Sequence, residues 1–388
     1  MKILFQAYKA PPVNQPGAVR LFHLIRHLRA AGAEVLLHTS SNQALFPQDE
    51  SLALPTTLKV QQIPTRDLRA RRAAIGRSAA HLDVAEKANP FRAWLHRLYH
   101  SYPFILIVGD GGLTYSRRAL RSASALVASE GITHVLSSYR PWSDHLIAYR
   151  LKKKHPQLIW IADFRDRPVD PLRRDVWWPR LQRWWQRYLL RRANVVTTVS
   201  DGLARHFRED HAQVLTLRNA LPKLPTGFMT APVDRQFTLT YTGSLYPNLQ
   251  SVDLLFQVIR KLINEGQLNP AHLSLHYAGK DGTVWQNWAR KYTLGYLCHQ
   301  HGLLTQQAAQ ALQEESQANV LLSWSAVDYG GIMTAKLGAY LAANRPIIGI
   351  VNGPDDPELR AAIETTGGGR LFSTAAPNAA EDFERFLL

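Results

Sequence analysis

Cysteine is nearly missing from this chain: Cys298 is the only one in 388 residues. An intrachain disulfide framework and a Cys-rich zinc site are both excluded, and a reducing cytosol is the expected compartment. Long apolar runs are missing too, with none near the ~18–20 residues of a membrane span. The opening Met1-Lys2-Ile3-Leu4-Phe5 reaches Lys9 and Pro11-Pro12 too early to hold a secretory h-region, so no leader is expected. Acidic residues are short in one half only. Residues 1–207 carry 14 Asp+Glu against 32 Lys+Arg, a net of +18, whereas residues 208–388 carry 16 against 14, a net of −2. The whole formal excess of +16 therefore sits in the first half. A generally basic proteome would not leave the second half neutral, so an anionic partner is expected there: membrane lipid, nucleic acid or a phosphorylated substrate. What is present is apolar material, 46% of residues, enough for true cores and against global disorder. The length makes two domains the expectation.

The pattern along the chain is strand and helix in alternation. Lys2–Tyr8 reads as a buried strand and Ala10–Gly17 as a Pro/Gly loop. Leu21, Leu24, Ile25 and Leu28 then recur at helical spacing, Gly32 ends the helix, and Glu34–His38 is the next strand. Residues 59–100, rich in Arg, read as a long insertion of helices and loop. Further strands are expected at Phe104–Val108, His134–Ser137, Leu158–Ala162 and Val195–Val199. The second half repeats the style, with strands at Thr238–Thr242, His272–Ala278, Val320–Ser323 and Ile347–Val351 and helices around Leu254–Leu262 and Ala335–Ala343. Two doubly wound α/β domains follow, joined near residues 210–235 where Pro222, Pro225 and Pro232 cluster. The expected division is 1–215, 216–375 and a terminal helix at 376–388 that could cross back to the first domain.

Three places carry chemistry. Gly17 lies between a strand and a helix; it is either an ordinary βα turn or a point where backbone approaches an anion at a helix N-terminus. Asp163-Phe164-Arg165-Asp166 follows a buried strand, where three charges must be used by a ligand or pair with one another. In the second half, Gly330-Gly331-Ile332-Met333-Thr334-Ala335-Lys336-Leu337 opens a helix. Thr334 is placed to cap it, leaving the amides of Ala335, Lys336 and Leu337 available. A cation in the first turn opposes the helix dipole, and a bound diphosphate at Lys336 would explain it; the alternative is a lysine extended into solvent.

Taken together these segments resemble the GT-B-fold glycosyltransferases, specifically glycosyltransferase family 4. Pro11-Pro12 with Gly17 and Arg20 is similar to the family's N-terminal loop. Ser143–Ala148 followed by Trp160–Asp166 resembles a bacterial subgroup with a D-F-R-D motif. Val199-Ser200, Asn219, Tyr241-Thr242-Gly243-Ser244, Ala278-Gly279, His301-Gly302, Ala335-Lys336-Leu337, Tyr340-Leu341-Ala342 and Arg345-Pro346-Ile347 continue the resemblance in order. It implies two Rossmann-like domains facing across a cleft and a retaining, metal-independent hexosyl transfer from a nucleotide-sugar co-substrate, with no cofactor. Donor contacts are implied at Gly17, Gly243, Ser244, Gly279, Lys280, Gly331, Thr334, Ala335, Lys336 and Leu337. Catalytic roles are implied for Asp163, Arg165, Asp166 and Lys336, with the Asp163–Asp166 segment facing the transferred sugar. The family's E-x7-E pair is absent: Gly331 and Ala339 occupy those positions, with Asp328 nearby. Arg167-Pro168 also stands where the subgroup has Pro-Trp.

Residues 171–192 hold seven Arg against the single acid Asp175, with Trp177, Trp178, Trp184 and Trp185. Arg180, Arg183, Arg187 and Arg191 form one helical stripe beside the aromatic arc, which suits an anionic membrane interface or, alternatively, a packed helix with a solvated Arg face. Arg66, Arg69, Arg71, Arg72 and Arg77 would widen that surface. The expected protein is thus a glycosyltransferase of bacterial surface or exported polysaccharide, acting on a lipid-linked or glycan acceptor at the inner face of the cytoplasmic membrane. A non-catalytic GT-B subunit of such a pathway is the second reading. A nucleic-acid binder ranks last, because no motif for it is present.

Overall fold

A computed structural model describes residues 1–65, 90–108, 111–219, 236–365 and 367–388. The basic stretch Arg66–Arg77 and the linker prolines Pro222, Pro225 and Pro232 lie outside the described residues. The chain divides into two compact units, Met1–Ala220 and Leu221–Leu388.

The first unit contains, in chain order, β1 (Lys2–Gln6), α1 (Pro16–Ala30), β2 (Glu34–Ser40), β3 (Lys59–Ile63), α2 (Pro90–Tyr99), α3 (Phe104–Val108) and α4 (Gly112–Glu130). It continues with β4 (His134–Ser138), α5 (Trp142–Lys154), β5 (Ile159–Phe164), α6 (Pro179–Leu190), β6 (Val195–Thr198), α7 (Asp201–Arg208) and β7 (Val214–Thr216). Its seven strands are in order β3-β2-β1-β4-β5-β6-β7, and every pairing is parallel. The second unit holds β8 (Phe237–Thr242), α8 (Asp253–Asn264), β9 (Leu273–Ala278), α9 (Gly282–Lys291), β10 (Cys298–Gly302) and α10 (Gln306–Glu315). It ends with β11 (Ala318–Trp324), α11 (Ala335–Ala343), β12 (Ile347–Asn352), α12 (Pro357–Glu364), β13 (Gly369–Ser373) and α13 (Ala379–Leu387). Its six strands run β10-β9-β8-β11-β12-β13, again all parallel. The strand order reverses between β1 and β4 and between β8 and β11, and a doubly wound sheet opens its ligand crevice at such a point.

Parallel strands covered by helices on both faces read as continuous apolar runs, and the central strands were predictable for that reason. β3, β7, β10 and β13 were not, and all four are sheet edges. β3 is exposed at four of its five residues and β10 (Cys-His-Gln-His-Gly) is largely exposed, so neither carries the apolar signature. Phe104–Val108, expected as a strand, is helix α3. A five-residue apolar run fits either structure by pattern. Here Ile105 and Leu106 pack on the core while Phe104 and Ile107 are exposed, a one-sided burial that an interior strand would not show. The terminal helix α13 packs on the second unit: Phe383 joins its core and stands edge-on to Phe372 at 4.8 Å.

The Ser143–Ala148 motif is core. His145 is fully buried, with Nδ1 2.7 Å from the Ser137 hydroxyl, which also accepts from Trp160 Nε1 at 2.8 Å. Burial pushes the His145 pKa down to about 3, so the ring is neutral.

Candidate functional site

In the first unit the crevice at the β1–β4 reversal is a pocket of about 180 Å³, lined among others by Lys9, Gly17, Ser138, Arg140 and Arg165. Helix α1 starts there with Pro16 at its first position and no side-chain cap. Pro16 has no N–H and the Val19 amide bonds Gln15 O at 3.0 Å, so the Gly17 and Ala18 amides head the helix towards the pocket. First-turn amides and the dipole make this an anion seat. Arg165 is fixed over it, its Nε and Nη2 donating to Tyr139 O at 3.0 and 2.9 Å. The arginine lies so close that a Cβ on Gly17 would come within 2.8 Å of the guanidinium. Glycine thus lets the guanidinium close over the start of the helix. Gly17→Ala is expected to fold, because the guanidinium can swing aside, yet to weaken binding of pyrophosphate; calorimetry with unchanged affinity would remove this pocket from the anion site.

The D-F-R-D residues divide by role. Asp163 is fully buried and holds Arg20: Nη2 donates to Oδ1 at 2.7 Å and Nε to Oδ2 at 3.1 Å. Thr197 and Ser138 hydroxyls donate to the same carboxylate at 2.8 and 3.2 Å. Burial alone would raise its pKa, but Arg20, the Thr197 hydroxyl and the nearby Arg165 charge hold it below the usual range. With four donors on two oxygens and no exposed surface, Asp163 anchors Arg20, Thr197 and Ser138 in this structure. Arg20 in turn binds Leu217 O at 2.9 Å, Arg218 O at 3.3 Å and Asn219 Oδ1 at 3.1 Å, tying down the end of the unit. Asp166 is half-exposed; Arg173, Arg165 and Arg140 outweigh the effect of burial and keep its pKa below the usual range. Lys9 was not singled out from the sequence, and Arg140 was read only as part of the segment Ser137–Ala148. Both follow a strand end, the same signal that drew attention to Arg165.

In the second unit the strand ends are knitted through glycines. Gly243, at φ 109°, donates to Ala278 O at 2.7 Å, and Gly279 donates to Gly302 O at 2.7 Å. A Cβ on Gly279 would collide with Gly243 O and the Tyr277 hydroxyl. Lys336 is not extended into solvent. Its Nζ donates to Ser244 O at 3.2 Å and lies 5.0 Å from the Tyr241 ring centroid. A Cβ on Gly243 would come within 2.5 Å of Lys336 Cε, so glycine there leaves room for the lysine stem. Burial lowers the Lys336 pKa to about 8, partly opposed by Asp281. Tyr340, on α11, accepts from the Thr242 amide at 2.9 Å and registers the helix on β8.

Two details depart from expectation. Thr334 sits at the cap position but its side chain makes no cap bond, and its hydroxyl oxygen is buried without a partner. The Leu337 amide is engaged by Thr334 O at 3.2 Å, so the amides at the head of α11 are those of Ala335 and Lys336. Lys280 is exposed, whereas its neighbour Asp281 is buried and accepts from the Leu245 amide at 2.9 Å. Gly331, at φ 73°, donates to Asp356 Oδ2 at 2.7 Å; this position shapes the loop. Asp328 is exposed in a turn closed by two 2.9 Å bonds between Ala326 and Tyr329.

On α6 the arginine stripe is partly neutralised. Arg183 pairs with Glu209, and Arg187 Nε lies 2.7 Å from Asp210. Arg191 covers the Tyr188 ring at 4.2 Å, while Arg180 and Trp184 are exposed. Trp185 is buried and stacks on Tyr102 at 4.6 Å, so it is removed from the surface expected of it. Among the described residues no helix is long and apolar enough to cross a membrane.

No family model and no curated protein matches the chain. Solved structures do. A sucrose-phosphate synthase from Thermosynechococcus elongatus superposes with TM-score 0.64 at 13% identity, over all of this chain and 89% of its own. The apo lipopolysaccharide outer core galactosyltransferase WaaB gives 0.56 at 14%, over all of this chain and 89% of its own. An S. aureus MnaA–UDP co-structure gives 0.53 at 13%, over all of this chain and 88% of its own. Identities this low speak to architecture, and with the two strand orders above they establish it: the chain has the GT-B fold, two doubly wound parallel-sheet units.

Proposed function

We propose that the protein is a glycosyltransferase that moves a hexosyl group from a nucleotide-sugar to a lipid-linked or glycan acceptor. The observation that carries the reading is Lys336 at the head of α11, folded back onto the Gly243-Ser244 turn. A point charge beside first-turn amides, with a buried unpartnered Thr334 hydroxyl next to it, is a seat for a diphosphate leaving group. Fixed donors and cations there would stabilise the charge that develops as the glycosidic bond breaks, with no metal needed. The Gly17–Arg165 pocket is a second set of anion contacts, for a phosphate of the donor or of a lipid diphosphate acceptor. Arg165 and Asp166 are the charged groups of that segment available to substrate. The D-F-R-D resemblance to family 4 supports a retaining outcome and a bacterial surface-polysaccharide pathway at the inner face of the cytoplasmic membrane.

The absence of the paired Glu at Gly331 and Ala339 favours a second reading, a non-catalytic GT-B subunit that still binds nucleotide. A thermal-shift screen with UDP, GDP, ADP and dTDP, followed by mass spectrometry of donor-sugar hydrolysis, separates the two. An enzyme is expected to show a rise of apparent stability with one base and turnover of its sugar. Stabilisation without turnover for any donor selects the subunit, and no stabilisation by any nucleotide overturns both.

A further inference from the structure

Large apolar side chains at the surface are ordinary when scattered and informative when contiguous. In the first unit seven of them lie on α2, α3, α6 and the segment leading into α6. They are Trp94 at 41% exposure, Tyr99 at 39%, Phe104 at 37%, Ile107 at 52%, Trp178 at 41%, Leu181 at 38% and Trp184 at 55%. Ring contacts join Trp94, Trp178 and Phe104 through Trp177. Trp94 meets Trp177 at 5.3 Å, Trp177 meets Trp178 at 6.1 Å, and Trp178 stacks with Phe104 at 6.3 Å. Trp178, Leu181 and Trp184 recur every third residue from the cap through α6, which keeps them on one side of that helix. Beneath them Trp185, Leu189 and Leu190 are buried in the core, so the exposed set is additional to the packing face.

The elements that carry this surface are predominantly basic. Residues 90–108 contain no acid, and residues 171–192 contain only Asp175, which is paired with Arg140 at 3.2 Å. Arg97 lies 5.9 Å from the Trp177 ring, and Arg180 is exposed between Trp178 and Trp184. Arg183 and Arg187, by contrast, are engaged by Glu209 and Asp210. The expected stripe of four free arginines is therefore replaced by an aromatic surface with basic residues around it. Amphipathic rings with arginine beside them fit the headgroup level of a bilayer, and the lack of unpaired acid on these elements fits an anionic leaflet.

We propose that this aromatic surface inserts into an anionic bilayer, with Arg97 and Arg180 on the lipid headgroups. The proposal rests on the reading of a lipid-linked acceptor, and names the membrane as the partner. Insertion of rings predicts a salt response different from that of an arginine stripe. Screening weakens contacts of exposed charges but leaves buried apolar area in place, so part of the binding persists at high salt.

The test is flotation of the full chain with vesicles of phosphatidylcholine alone and of phosphatidylcholine mixed with phosphatidylglycerol, at low and high salt. It reads membrane contact without turnover, and nucleotide binding measured on the same samples reports separately on the glycosyltransferase reading. Wild type is expected to float with the anionic vesicles at both salt concentrations, and brominated lipid is expected to quench its tryptophan emission. Phe104→Ser with Trp178→Ser and Trp184→Ser, all at exposed positions, is expected to lose about tenfold or more of the high-salt binding while keeping its circular dichroism. Arg97→Glu with Arg180→Glu is expected to reduce binding mainly at low salt. Because the quenching needs no variant, it stands even if the triple variant fails to fold. Absence of flotation by wild type overturns the proposal, as does equal flotation of the folded triple variant. A wild-type dimer that the triple variant abolishes, with no vesicle binding, overturns it in favour of a second copy of this chain.

Discussion

Lys336→Ala is expected to raise the dissociation constant for the cognate nucleoside diphosphate about ten- to a hundredfold, since a hydrogen bond to a charged group contributes about 1.5–3 kcal/mol. The fold is expected to survive, because the lysine makes one hydrogen bond, to Ser244 O, and its charge is held against the effect of burial. Its pKa of about 8 in the free protein, against an ordinary 10.5, gives two signs to check. Below pH 8 the ammonium is charged in folded and unfolded chains alike, and stability carries the burden of burying it. Between about 8 and 10.5 the folded state binds fewer protons, so this burden is relieved as pH rises. Ligand affinity runs the other way: a diphosphate favours the ammonium, so affinity is full below about 8 and falls by up to about tenfold per pH unit above it. The ligand's own charge is nearly constant there, its last phosphate pKa being about 6. Calorimetry from pH 7 to pH 9 checks this, and the Lys336→Ala variant should show a flat profile. A steep profile in that variant would assign the titration to another group.

Asp163→Ala is expected to destabilise the first unit by about 3–5 kcal/mol, because it leaves the Arg20 guanidinium buried without its counter-charge. For a unit of this size that is a fall of about 6–20 °C in melting temperature. Arg20→Met alone should be comparably damaging, since it strands a fully buried carboxylate together with the Thr197 and Ser138 hydroxyls aimed at it. The double variant Arg20→Met with Asp163→Leu should recover part of the loss, as apolar replacement of both partners removes the unpaired charge. Because the folded-state pKa of Asp163 is below 3.8, its stabilisation is present above the unfolded value and disappears as pH falls through the folded one. Calorimetric unfolding of the three variants checks this, and a loss under about 1 kcal/mol for Asp163→Ala would mean that Arg20 is solvated or re-paired.

The GT-B architecture was legible because both units are parallel sheets whose inner strands are covered on both faces. β1, β5, β8 and β12 could be placed within a few residues for that reason, and α11 to the residue. Helix α3 and the four edge strands were not legible. Five apolar residues satisfy either period, and an edge strand needs no apolar side facing water. Gly17 and Lys336 were singled out from the chemistry of turns and helix ends, and Gly243 and Gly279 as donor contacts only from the family resemblance. Why glycine suits positions 17 and 243 was not legible. The reason is the Arg165 guanidinium over one and the Lys336 stem over the other, partners 148 and 93 residues away in the chain.

Sequence by itself determined which residues bring charge to strand ends and that the first half is strongly basic. It also identified a Trp- and Arg-rich helix. Only the tertiary structure decided how those charges are employed. Asp163 and Arg165 are two residues apart, but Asp163 lies within β5 and Arg165 just beyond its end. Asp163 ends in the core on Arg20, and Arg165 ends over the pocket. Arg183 and Arg187 look free in a helical wheel, but the following helix brings Glu209 and Asp210 to them, while Trp184 stays outside and Trp185, one residue on, goes in. Periodicity says which residues share a face. Which face meets water, and which charge meets its opposite, depends on elements far apart in the chain, and packing settles it because a buried charge is tolerated only with a partner in place.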